Sequence, residues 1–201
     1  MKLYVSPGAC SLAPHIALAA AGLPFSVERV SLKTKAIASG GDFRDINDKG
    51  SVPALQLDDG KVLTEAAVIL QYIADQAPAA QLAPAAGTFE RYQLMESLNY
   101  IATELHKRFT PIFTPGCSEE GRNAAWAALA RPLTYLAGKL EGGRFLGGSG
   151  FSIADAYLFT VLNWAGFARF SLADWPQLVA YQARVAALPA VQEAMRAEGL
   201  A

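Results

Sequence analysis

Lys2-Leu3-Tyr4-Val5-Ser6-Pro7-Gly8-Ala9-Cys10-Ser11-Leu12 decides the fold. Four residues suited to a strand run into Pro7-Gly8, and a helical pattern from Ser11 to Ala21 follows at once. Gly22-Leu23-Pro24 stops that helix, and Phe25 to Leu32 reads as a second strand. Further on, Ala54 to Leu57 and Lys61 to Leu63 flank Asp58-Asp59-Gly60, a hairpin signal. Glu65 to Gln76 returns to helical spacing. The order is β-α-β, an irregular stretch, then β-β-α. Cys10 thus lies at the first strand-to-helix turn, where free N–H groups and the helix dipole favour a thiolate. A buried, inert cysteine is the competing reading.

The grammar changes after Gln76. Ala77 to Gly87, with Pro78 and Pro84, is a connector. Beyond it every periodic run is helical. Phe89 to Phe113 carries an apolar stripe of Met95, Leu98, Ala102, Leu105 and Phe109. Further helices are predicted over 120–140, kinked or broken at Pro132, and over 153–167, 175–188 and 191–197. The expected organisation is an α/β domain over 1–77, a linker over 78–87 and an all-helical domain over 88–201.

The 201 residues are 52% hydrophobic and 17% charged, with a formal net charge of −1. That is the composition of a globular domain with a sizeable core. It offers no concentrated basic surface for nucleic acid or an anionic membrane. No stretch reaches the ~20 apolar residues of a membrane span, and no signal peptide is evident. Two cysteines in unrelated contexts suit a reducing compartment, so a cytoplasmic protein is expected. With two histidines, no metal site is expected.

Several positions have chemical character of their own. Val52-Pro53 precedes a strand; the default is an ordinary trans bond, whereas a cis bond would turn the Val52 backbone outward to bind an extended peptide-like ligand. Thr64 is a reasonable N-cap for the following helix, whose first N–H groups suit a carboxylate. Glu65 in the first turn either complements the helix dipole or receives an ammonium group; together these features suit a zwitterionic amino-acid head. Asn99, Thr103 and His106 fall in one narrow stripe beside the apolar face, either a cleft wall or a solvated shoulder. His15 reads as a structural hydrogen-bonder and Cys117 as incidental. Ser152-Ile153-Ala154-Asp155 is a capping-box-like helix start with a folding role. The glycines around it follow no strand and make a poor phosphate loop.

Taken in order, Ser6-Pro-Gly-Ala-Cys10-Ser11, Ser51-Val-Pro-Ala-Leu, Leu63-Thr-Glu65, Leu98-Asn-Tyr-Ile-Ala-Thr-Glu-Leu-His106 and Phe151-Ser-Ile-Ala-Asp-Ala-Tyr resemble the bacterial beta-class glutathione transferases. The resemblance runs from Met1 to Leu200. It implies a thioredoxin-like N-terminal domain, an all-α C-terminal helical domain and a homodimer. Reduced glutathione would be the cosubstrate, with no tightly bound cofactor, and would be conjugated to small hydrophobic electrophiles in a detoxifying reaction. Carried over, Cys10 would lie beside the glutathione sulfur and could form a mixed disulfide with it. Val52, before a cis Pro53, would pair with the cysteinyl main chain. Glu65 and the Ala66 N–H would hold the γ-glutamyl end, and Lys35 would meet the glycine carboxylate. His106 would approach the sulfur, with Ser11 as a further stabiliser. Asn99, Thr103 and Glu104 would complete the pocket, in part across the dimer. Phe109, Phe113 and Trp164 are candidates for the electrophile's side. Val5 stands where many relatives carry tyrosine, and strand alternation turns Tyr4 to the other face. Two other functions compete: a monothiol glutaredoxin-like reductase and a non-catalytic glutathione- or ligand-binding protein.

Overall fold

A computed structural model describes residues 1–148 and 150–201. Strand β1 (Lys2–Val5) leads through the Pro7-Gly8 turn into α1 (Leu12–Ala21), which ends on Gly22 in the left-handed conformation. Strand β2 (Ser26–Arg29) lies parallel to β1. Strands β3 (Ala54–Gln56) and β4 (Val62–Thr64) form the expected hairpin, with Gly60 at a φ of +86° in its turn. The four-stranded mixed sheet has the order β2-β1-β3-β4, and α2 (Ala66–Gln76) follows it.

The period of two sorts side chains between the faces of this sheet. Leu3, Val5 and Leu55 join the main core with α1 and α2, whereas Tyr4 and Ala54 pack on the opposite side with Val30, Phe43 and Val52. Tyr4 and Val5 therefore face apart, as alternation requires.

The remaining chain is helical: α3 (Phe89–Tyr100), a π-helical turn (Ile101–His106), α4 (Lys107–Phe113), α5 (Glu119–Ala127), α6 (Ala130–Lys139), α7 (Ile153–Phe167), α8 (Pro176–Ala186) and α9 (Pro189–Glu198). Helix α1 packs against both α7 and α9, so the helical part builds directly onto the first βα unit. Arg91 on α3 adds a two-pronged contact to Asp75 on α2, at 2.8 and 3.0 Å, and donates to the Pro84 carbonyl of the connector.

Two sequence expectations need correction. The break in 120–140 falls at Ala128-Leu129, ahead of Pro132, which sits in the first turn of α6. Proline is tolerated there because no intrahelical N–H bond is lost. Along α3 and its continuation the buried line is Leu94, Leu98, Ile101, Leu105 and Phe109; Met95 is exposed and Ala102 only partly buried. The two lines share Leu98, Leu105 and Phe109; at the other two positions the inward place falls one residue earlier, on Leu94 and Ile101.

Asp155 accepts from the Ser152 N–H at 2.9 Å and the Ser152 hydroxyl at 2.6 Å, anchoring the start of α7. It also accepts from the Leu146 N–H and the Tyr181 hydroxyl, tying a loop and α8 to that start. No helix among the described residues is long and apolar enough to cross a membrane.

Candidate active site in the cleft between sheet and helices

A cleft of about 840 Å³ opens where the C-terminal edge of β1, the loop before β3 and the start of α2 face α4 and α7. Its floor holds Cys10. The thiol is buried and donates to the Val52 carbonyl at 3.2 Å. Burial pushes the Cys10 thiol up to about 12, outweighing the nearby N–H groups that pull it down; Glu65 adds to the rise. Of the two readings open from the sequence, the buried neutral thiol is the one this packing favours over a thiolate.

The Val52–Pro53 bond is cis. Beyond it, Glu65 immediately precedes α2 with a φ of 71°, an uncommon backbone state for a residue with a side chain. Thr64 does not cap α2. It is the last residue of β4, and its hydroxyl accepts from Lys49 Nζ at 3.0 Å. The same ammonium group lies 2.7 Å from Glu65 Oε1. A lysine side chain therefore occupies Glu65 where an ammonium group was expected, and this exposed pair is cheap to exchange. Ala66, first in α2, presents one of the N–H groups that lack an intrahelical acceptor. Lys35 lines the same end of the cleft.

His106 enters from the opposite wall, at the end of the π-helical turn. Its Nδ1 is 2.7 Å from the Tyr157 hydroxyl of α7, and its ring meets Trp164 edge-on at 4.7 Å. Burial, reinforced by Lys107, lowers the imidazole to about 4, with Glu65 opposing weakly; His106 is neutral at pH 7. Burial raises the Tyr157 phenol well above its ordinary range, so it too stays protonated.

Cys10, Lys35, Val52, Pro53, Glu65, Ala66 and His106 all line this one cleft. Four other candidates do not. Ser11 is fully buried; its hydroxyl donates to the Ser6 carbonyl and accepts from the Ser6 N–H, serving the turn. Asn99 and Thr103 lie on the exposed side of the helix, with the Thr103 hydroxyl donating to the Asn99 carbonyl. Glu104 pairs with Arg108. The π-helical turn explains the separation: a helix of constant pitch would align His106 with Asn99 and Thr103, and the wider turn breaks that alignment.

Phe113, Trp164 and Phe167 line the helical side of the cleft, while Phe109 is core, packed behind Trp164. Lys49 and Phe167 carried no signal in the sequence, and Tyr157 entered only as the last residue of the 151–157 motif with no site role, because each reaches the site only through the folding of distant segments. Cys117 lies outside the cleft lining, and His15 is buried 2.8 Å from Glu198. Among the described residues, no group of three His, Cys, Asp or Glu could hold a metal ion.

Residues 8–76 match the family model described as glutathione S-transferase, N-terminal domain, and residues 100–189 match that of the C-terminal domain. The chain is 46% identical to the glutathione S-transferase GstA of Escherichia coli O157:H7 over the full length of both. It superposes on the bacterial beta-class glutathione S-transferase of Sphingomonas chungbukensis with a TM-score of 0.96 and 48% identity, covering all of each chain. A sphingomonad glutathione S-transferase complexed with glutathione gives a TM-score of 0.95 and 46% identity, again over both chains entire.

Proposed function

The chain belongs to the glutathione S-transferase family, and from that premise we propose how its own residues carry out the transfer. It is a glutathione transferase with reduced glutathione as cosubstrate. The tripeptide lies extended against the loop before β3, its cysteinyl main chain pairing with the Val52 backbone. Its γ-glutamyl ammonium displaces Lys49 from Glu65, and the γ-glutamyl carboxylate takes the Ala66 N–H at the start of α2. Lys35 meets the glycine carboxylate.

The sulfur then sits between Cys10 and His106. A hydrogen bond from the imidazole stabilises the glutathione thiolate over its thiol, and each unit of pKa lowering is about 1.4 kcal/mol of that preference. The thiolate attacks a soft hydrophobic electrophile held against Phe113, Trp164 and Phe167, forming the carbon–sulfur bond. In a substitution the leaving group departs with the bonding pair; in an addition a proton completes the product. The observation that carries this reading is the convergence of Cys10, Val52, Glu65 and His106 on one cleft from both sides.

Titrating the bound thiol by its ultraviolet absorbance, alongside steady-state turnover of a chloronitrobenzene, tests the scheme. A bound glutathione thiol pKa no lower than that of free glutathione would sink it.

Cys10 supports a second reaction. After deprotonation its sulfur attacks the glutathione sulfur of a mixed disulfide, forming a Cys10–glutathione disulfide and expelling the other thiolate. A second glutathione thiolate then breaks that bond, restoring Cys10 and leaving as glutathione disulfide. Cys10→Ala separates the activities: conjugation largely survives and disulfide reduction vanishes.

The working unit is a homodimer. Phe89 and Tyr92, three residues apart at the start of α3, give it an exposed apolar face, at 73% and 58% exposure. Such a face is costly to leave in water. In this dimer Asn99 and Thr103, exposed further along the same helical run, serve the partner's cleft. Sedimentation at micromolar concentration checks the dimer. Two free cysteines suit a reducing cytoplasm.

A further inference from the structure

The hydrogen bond between His106 Nδ1 and Tyr157 bridges two helices inside the cleft wall. Tyr157 is the one tyrosine among the described lining residues, and it is 2% exposed. A neutral imidazole has one N–H and a phenol has one O–H, so the contact can be made in two ways. If His106 carries its proton on Nδ1 and donates, the phenolic proton is left with no acceptor among the described residues. An unpaired buried donor of that kind costs about 1–3 kcal/mol. If Tyr157 donates instead, the buried phenol is satisfied and the one donor left over is the imidazole's own, on a residue that is half-buried where Tyr157 is 2% exposed. The imidazole proton then sits on Nε2, at the other edge of the ring, which faces the cleft that His106 lines. Trp164, edge-on at 79° to the imidazole, holds the ring plane.

We propose that Tyr157 is a positioning residue whose hydroxyl fixes His106 as the Nε2–H tautomer, so that the imidazole meets the glutathione sulfur as a hydrogen-bond donor and not as a base. This rests on the placement of His106 at the sulfur argued above. The distinction matters for the chemistry. A base would take the thiol proton and become a buried cation, whereas a donor stabilises a thiolate whose proton has already left for solvent. The protonation states agree: burial holds the phenol protonated and keeps the imidazole neutral at physiological pH.

Nitrogen-15 spectra of the imidazoles in the full-length protein test this. With two histidines in the chain, His106→Asn assigns the signals. The expected wild-type pattern at pH 7 has Nε2 protonated and Nδ1 as the bare, hydrogen-bonded nitrogen. Tyr157→Phe keeps the ring and removes the donor. In it the His106 signals move toward a tautomer mixture, and kcat/KM for conjugation falls about threefold to tenfold, the worth of one hydrogen bond. A wild-type His106 protonated on Nδ1, or a spectrum unchanged in Tyr157→Phe, overturns the proposal. Should that variant fail to fold, the wild-type spectrum alone decides. If added glutathione leaves the Nε2–H resonance unmoved, the placement of His106 at the sulfur fails instead, and the tautomer assignment stands.

Discussion

The carboxylate of Glu198 accepts the Gly8 N–H at 2.9 Å. Its other oxygen lies 2.8 Å from His15 Nδ1, and the whole arrangement is buried. The Gly8 carbonyl is held as well, by the Trp164 indole N–H at 2.8 Å. Gly8 has a φ of +72°, and a Cβ there would come within 3.0 Å of Phe167. The turn that delivers Cys10 is therefore fastened on both sides by α7 and α9.

Removing the Glu198 carboxylate leaves a buried N–H and a buried imidazole nitrogen without their partner. Glu198→Ala is expected to cost about 3–5 kcal/mol, and Glu198→Gln less because it retains one acceptor. Urea unfolding followed by circular dichroism measures both. Equal losses in the two variants would show that the bond to Gly8 contributes little.

Cys10, held as a thiol with a pKa of about 12, should be a poor nucleophile on its own. In the ligand-free protein at pH 8, iodoacetamide should modify Cys117 well before Cys10, as read by peptide mass mapping. The same shift sets an alkaline limit. The folded pKa is raised, so the native state binds more protons than the unfolded chain above pH 9.0, and stability falls as pH rises from there toward about 12. Cys10→Ala should be flatter than wild type across that window.

His106 has the opposite pH signature. Its folded pKa of about 4 lies below the ordinary 6.5, so the unfolded chain binds the extra proton first. Its contribution to stability is intact above 6.5 and is lost as pH falls toward 4. The difference between wild type and His106→Asn, measured by denaturant titration at several pH values, should shrink or reverse through that interval. Turnover should likewise lack an acid limb at the usual histidine pKa; a limb near 6.5 that disappears in His106→Asn would contradict a neutral imidazole.

Ser152 and Asp155 should differ in weight even though they form one cap. Ser152→Ala removes one donor and should cost about 1 kcal/mol. Asp155→Ala strands the Leu146 N–H, the Ser152 N–H and the Ser152 hydroxyl together, while the Tyr181 hydroxyl keeps the Asp155 carbonyl as acceptor, so a loss of about 3 kcal/mol or more is expected. Thermal melts of the two variants rank them.

The sequence carried the first βα unit, the Asp58-Asp59-Gly60 hairpin and the helical grammar after Gln76, because those signals are local. It also singled out most of the residues that meet in the cleft, through motifs that resemble a known family. What it missed was register and distance. The π-helical turn shifts the helix phase between Thr103 and His106, and no composition or period reveals that shift. Tyr157 is one aromatic residue in an apolar helix until folding brings it to His106, 51 residues earlier in the chain. The raised pKa of Cys10 was equally out of reach, since burial that outweighs a helix N-terminus is a property of the packed whole.

Trp164 gives the cleft an optical gauge. Its indole touches both the Gly8 carbonyl and the His106 ring, whereas Trp126 stacks on Phe170 and meets Trp175 outside the cleft lining. Of the three tryptophans, one alone senses the contents of the cleft. Its emission should respond separately to a tripeptide arriving beside Cys10 and to an electrophile laid against Phe113. The order in which the two substrates load can then be timed in a stopped-flow fluorimeter with no label attached.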